Sequence, residues 1–207
     1  MFCNNGPMIR LTEQDVLALI RDRGVVRPCD LEAEGVSRMW LTRLERAGQV
    51  ERVGRGLYRS SDAMFTENHG LVLAAKAVPG GIVCLLSALQ FHELTTQLPS
   101  EVWLAIDGRA ARPRVQGVPL RIVRFSGTAL SLGVEEHMLE GVTARVYSAP
   151  KTVVDCFRYR NKIGFDVALE ALRDCYRQRR ATIDELWRCA NQLRMANVMR
   201  PYLESLL

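Results

Sequence analysis

The chain has 207 residues, 48% of them apolar, and carries a net charge of +5 from 28 Lys+Arg against 23 Asp+Glu. That length suits one large domain or a small one followed by a medium one, and the mild basic excess permits a nucleic-acid partner without requiring it. No apolar run approaches the ~20 residues of a membrane span. The six cysteines (3, 29, 84, 156, 175 and 189) form no CxxC pair and have no histidine at ligand spacing, which excludes a zinc ribbon and points to reduced thiols in the cytoplasm.

Residues Met1 to Met8 lack the basic and apolar regions of a signal peptide, and Met8 is a candidate second start. A first helix is predicted over 12–23: Thr12 and Asp15 resemble a capping box, Val16, Leu17 and Ile20 share a face, and Gly24 stops it. A short second helix is predicted over 28–34, opened by Pro28 and anchored by Leu31, and Gly35-Val36 makes a tight turn. Ser37 is then a natural N-cap for a third helix, in which Trp40, Leu41 and Leu44 form an apolar stripe and Gly48 stands at the C-terminal end. Arg38, Thr42, Arg43 and Arg46 point away from that stripe.

Two short strands follow, with Val50 and Val53 leading into a Gly54-Arg55-Gly56 turn and Leu57 and Tyr58 leading out. A basic helix followed at once by a hairpin with arginine at its tip is the order of a winged helix-turn-helix. In that arrangement the helix enters the major groove and the wing touches the flanking backbone. Between Ser37 and Ser60 stand six arginines (38, 43, 46, 52, 55 and 59) against two glutamates. An ordinary solvated basic face is the competing reading of that excess.

The polar break Ser60-Ser61-Asp62 predicts a division into domains 9–62 and 63–207. Beyond it, helices are predicted over 67–78 and 87–94, a strand over 102–106, and a loop with three arginines over 109–117. A strand over 120–125 and a hairpin turning at Glu140-Gly141 come next. From Pro150 the chain reads as helical: a short helix with Val153, Val154 and Phe157, a long one over 165–176, one capped by Thr182 and Glu185, and one from near Asn197 to Leu206. The predicted class is α+β: an N-terminal winged helix-turn-helix domain followed by a C-terminal α+β domain with a small, mainly antiparallel sheet and a helical tail.

Catalytic patterns are mostly missing. There is no P-loop and no dinucleotide fingerprint, and His92-Glu93 lacks the second histidine of a zinc-protease motif. Ser148-x-x-Lys151 matches a serine-acylation motif without its companions, so Ser148 is read as the cap of the helix that Pro150 opens. Asp155 and Arg158 are read as an ion pair at i, i+3. Seven cations between Arg158 and Arg180 face three acids, which reads as a solvated helix face or, more sharply, as a second phosphate-contacting surface.

The run from Leu31 to Arg59, with Leu-Thr-Arg-Leu-Glu-Arg-Ala-Gly and Gly-Arg-Gly-Leu-Tyr-Arg, resembles the N-terminal winged helix of AbiEi-type antitoxins of type IV toxin–antitoxin systems. The run from Ser148 to Arg173 is similar to that family's C-terminal signature. The resemblance implies a repressor of its own operon that binds inverted repeats in double-stranded promoter DNA. It implies a neighbouring nucleotidyltransferase-like toxin that the C-terminal domain neutralises without a tight complex, and it implies no enzymatic activity, cofactor, metal or membrane partner. Carried onto this chain, the DNA-binding positions are Ser37, Arg38, Thr42, Arg43 and Arg46, with Arg52 and Arg55 on the wing. Arg38 and Arg43 would meet base edges, and Arg46, Arg52 and Arg55 phosphates. A second basic patch would comprise Lys151, Arg158, Arg160 and Lys162.

Three competing readings stand beside this one. The chain could be a stand-alone winged-helix transcription factor with a ligand-sensing or protein-interaction C-terminal domain. It could be a metal-dependent enzyme seeded by Asp107, Asp155 and Asp166. It could be a protein-interaction module with a merely structural hairpin.

Overall fold

A computed structural model describes residues 11–64, 66–113, 115 and 117–206, so the readings made for residues 1–10 and for Arg114 lie outside the described residues. Helices α1 (Glu13–Arg23), α2 (Pro28–Ala33) and α3 (Met39–Arg46) precede an antiparallel hairpin of β1 (Val50–Gly54) and β2 (Leu57–Ser60). Thr12 caps α1 reciprocally: its hydroxyl accepts from the Asp15 N–H, and the Asp15 carboxylate accepts from the Thr12 N–H at 2.8 Å. Val16, Ile20, Leu31, Leu41, Leu44 and Val50 close a small core under the three helices. Helix α3 begins one residue later than expected, with Arg38 at the N-cap position. The Ser37 hydroxyl still accepts from a free first-turn donor, the Met39 N–H at 3.3 Å.

The second half supplies α4 (His69–Ala77), β3 (Ile82–Val83), α5 (Leu85–Phe91), β4 (Val102–Asp107), β5 (Leu120–Phe125), α6 (Thr128–Ser131), β6 (Val134–Leu139) and β7 (Val142–Tyr147). The strands form one sheet in the order β5-β4-β3-β7-β6. This corrects the expectation of a mainly antiparallel sheet. β4 pairs with β5 and β3 with β7 in parallel, whereas β3–β4 and β6–β7 are antiparallel. The segment 108–119 carries the chain back so that β5 runs beside β4 in the same direction. The central β3 is only two residues long, inside an apolar run whose periodicity distinguishes neither strand nor helix.

A tail of α7 (Ala149–Arg158), α8 (Arg160–Ile163), α9 (Phe165–Arg177), α10 (Ile183–Gln192) and α11 (Ala196–Glu204) covers one face of the sheet together with α5. The other face meets α4 and, from the N-terminal module, buried Val25 and Leu57 and partly buried Val53. Packing therefore crosses the expected division at residues 60–62. Arg21 pairs with Asp62 at 2.7 Å and Lys76 with Asp30 at 2.8 Å. The Glu140 carboxylate, at the β6–β7 turn, accepts from the Thr66 N–H at 3.0 Å and lies 2.8 Å from His69 Nδ1. Burial pushes the Glu140 carboxyl up, but these partners outweigh it and hold the group below its ordinary value.

Helix α7 carries a charged pair inside the core. Lys151 and Asp155, one helical turn apart, are fully buried and bonded to each other. The Lys151 ammonium also lies 4.1 Å from the Tyr147 ring centroid and 4.8 Å from that of Phe125. Two sequence readings are corrected here. Asp155 pairs with Lys151 rather than Arg158, and Ser148, although it holds the N-cap position, makes no capping bond with its side chain. All five described cysteines are free thiols.

Candidate nucleic-acid interface

Leu41 and Leu44 turn inward and fix the roll of α3, so the residues between them turn out. Thr42, Arg43 and Arg46 are exposed on this helix, as are Ser37 and Arg38 just before it. Arg38 Nε donates to the Glu32 carboxylate at 2.7 Å, and that bond holds the Glu32 carboxyl below its usual value. Arg43 reaches Glu13 at 3.3 Å and rests 5.2 Å above the Trp40 ring. Solvent screens exposed pairs of this kind, so a phosphate or base edge competes with them readily.

Arg46 has no ion pair among the described residues. On the hairpin, Arg52 Nε donates to the Gly54 carbonyl at 3.1 Å, and Arg55 stands exposed at the tip. Arg59 differs from its neighbours in sequence. It is 4% exposed and bonded to Glu51, so it adds nothing to the surface charge. Sequence reasoning missed Met39, which is 76% exposed in the first turn of α3. The available signal was that Met39 falls off the Trp40–Leu41–Leu44 stripe.

The second basic patch does not form as expected. Lys151 is buried in the α7 pair and presents no charge to solvent. Arg158 is exposed, and Arg160 donates to the Phe157 carbonyl at 2.8 Å. Lys162 lies over the Tyr159 ring at 5.4 Å and turns toward a cleft along β5. Asp155 is taken up by Lys151, and no group of three or more His, Cys, Asp or Glu among the described residues is placed to hold a metal ion. No described helix is long and apolar enough to cross a membrane.

The outward arginines lie on a three-helix and hairpin module, and a family model matches that module. Residues 14–61 match the family model described as "Transcriptional regulator, AbiEi antitoxin". The N-terminal module is similar to the AbiEi family of regulators. The match runs from the first turn of α1 to just past β2, so it takes in every arginine of α3 and the hairpin. No curated protein matches the chain. The similarity to transcriptional regulators and antitoxins is thus carried by residues 14–61.

Proposed function

We propose that the chain is a sequence-specific repressor that binds double-stranded DNA through a winged helix-turn-helix spanning 9–62. In this reading it represses its own operon as the antitoxin of a type IV system with a nucleotidyltransferase-like toxin, in the cytoplasm. The observation that carries the reading is the set of outward side chains on α3, ahead of a hairpin tipped by Arg55, on a domain of regulator type. Helix α3 enters the major groove, with Arg38 and Arg43 at base edges and Met39 placed to meet a thymine methyl group. Arg46, Arg52 and Arg55 contact phosphates. Residues 63–207 act by contact, not by catalysis.

Two mutants separate the roles. Arg43→Ala should relax sequence preference, costing about 1–3 kcal/mol on the operator and little on unrelated DNA. Arg55→Ala should weaken all duplexes about equally and flatten the salt slope by about one unit. Gel-shift titrations of both against operator and scrambled duplex decide it, and unchanged affinities in both mutants would refute the assignment.

The Glu32–Arg38 bond gives a third expected result. Glu32→Gln removes a carboxylate that competes for the Arg38 guanidinium, so duplex affinity should rise by roughly two- to fivefold at low ionic strength, fading as salt screens the site. A fall in affinity would show that Glu32 itself accepts from DNA or positions Arg38.

A further inference from the structure

Among the described residues, strand β5 ends the sheet and pairs with β4 alone. A cleft of about 440 Å³ is lined by the strand's residues 121–124 and by Trp103 of β4. Four cations converge on it: Arg112 from the 108–119 crossover, Arg121 and Arg124 from β5 itself, and Lys162 from α8. Among the described residues, no aspartate or glutamate lines the cleft.

These charges are held in place largely by uncharged groups. Arg124 Nη1 donates to the carbonyls of Gly108 at 2.9 Å and Ala110 at 2.8 Å, which aims the guanidinium without neutralising it. Lys162 lies over the Tyr159 ring. Arg121 is stacked 4.6 Å from the Trp103 ring centroid, with Glu101 at the rim 3.5 Å away, and Arg112 has no ion pair among the described residues. Like charges gathered around one concavity repel, and focusing by its low-dielectric walls makes it an anion trap. The volume falls within the ~300–1,000 Å³ typical of small-ligand sites.

We propose that this cleft binds a small ligand through a di- or triphosphate chain. Four cations match a chain of three to four negative charges better than a single phosphate does. The fork geometry of three arginines suits bidentate contacts to successive phosphoryl groups. Ile122 and the half-buried Tyr159 ring form an apolar wall on which a nucleobase would rest. A second cleft of about 400 Å³ shares Arg112 and Ile122 with this one and reaches Arg55 at the hairpin tip. The site is thus continuous with the hairpin, although its existence does not depend on the DNA reading.

The test is isothermal titration of the full chain at about 150 mM salt with ATP, inorganic tripolyphosphate, AMP and inorganic phosphate. ATP and tripolyphosphate should bind with micromolar constants and AMP and phosphate at least about tenfold more weakly, since the shorter anions make fewer charge-assisted contacts. Tighter binding of ATP than of tripolyphosphate assigns the apolar wall to a base, and equal binding assigns the site to the phosphate chain alone. The double variant Arg121→Gln/Lys162→Gln, both surface positions, should lose ATP affinity at least about tenfold with an unchanged circular-dichroism spectrum. Arg43→Ala should leave ATP binding intact, which keeps a failure here distinct from a failure of the DNA reading. Millimolar binding of every anion, ATP affinity unchanged in the double variant, or a double variant that loses only duplex affinity would each overturn the proposal.

Discussion

Lys151→Ala should destabilise the protein by about 3–5 kcal/mol, the cost of leaving a buried carboxylate without its counter-charge. Asp155 has no other ion pair among the described residues. Its Oδ2 holds the Lys151 ammonium, its Oδ1 has no hydrogen-bond partner, and the surroundings are the apolar faces of β7, α5 and α7. Burial pushes the Asp155 carboxyl up to about 6 even though Lys151 pulls it down, so desolvation is the larger effect. The pair is therefore weak evidence of net stabilisation. Lys151→Met combined with Asp155→Val should return to within about 1–2 kcal/mol of the parent, because apolar replacement of both charges removes the desolvation cost along with the attraction.

The pH dependence has a definite sign. An acid whose pKa is raised by folding favours the fold while protonated, and that contribution is lost as pH rises from the ordinary value of 3.8 toward about 6. The double variant lacks that loss, so its stability relative to the parent should increase across the same interval. Chemical denaturation of parent, single and double variants between those limits measures all three effects. A loss below about 1 kcal/mol in Lys151→Ala would mean that the pair is solvated.

Gly24→Ala is expected to be the other severe substitution. Gly24 ends α1 at φ +63°, and a Cβ there would stand 1.6 Å from the Glu140 carbonyl oxygen. Gly141, at φ +77°, returns the contact: its Cβ would lie 2.3 Å from the Asp22 carbonyl oxygen. The end of α1 and the β6–β7 turn thus meet backbone to backbone, and neither side has a flexible side chain that could yield. The strained φ alone costs roughly 1–2 kcal/mol, and with the clash the total should exceed about 3 kcal/mol. In a chain of this size that lowers the midpoint by roughly 6–12 °C. Limited proteolysis should also open the chain between Ser60 and His69, where Asp62, Thr66 and His69 lose the partners that hold them. Gly80→Ala, with open space around its Cβ, is the control. A normal midpoint for Gly24→Ala would show that the module and the sheet do not touch there.

Much of the N-terminal module was legible because its signals are local. Thr12 with Asp15, Pro28, Leu31 and the Leu41–Leu44 face each act within one or two helical turns, and each lies where the sequence puts it. The same holds for the Thr182–Glu185 capping box of α10. Features set by distant neighbours were not legible. The parallel pairing of β4 with β5 depends on how the chain crosses between them, and the two residues of β3 carry no period. Arg59 and Lys151 read as surface cations because burial of a charge is decided by partners, here Glu51 and Asp155. The Lys151–Asp155 spacing of four residues inside a Val-Val-Phe face was the one available signal of an internal pair. The arginines of the β5 cleft come from separate segments, and only the crossover brings Arg112 to Arg121 and Arg124.

The central claim is that the arginines of α3 and the hairpin read duplex DNA. The most direct test measures affinity of the full chain for the duplex immediately upstream of its own gene and for a scrambled duplex, each across a salt series. The account predicts preference for the upstream sequence by at least about a thousandfold. It also predicts a log–log salt slope of about −3 or steeper from the phosphate contacts of Arg46, Arg52 and Arg55. Equal affinity for the two duplexes, or no binding to either at low salt, would contradict it.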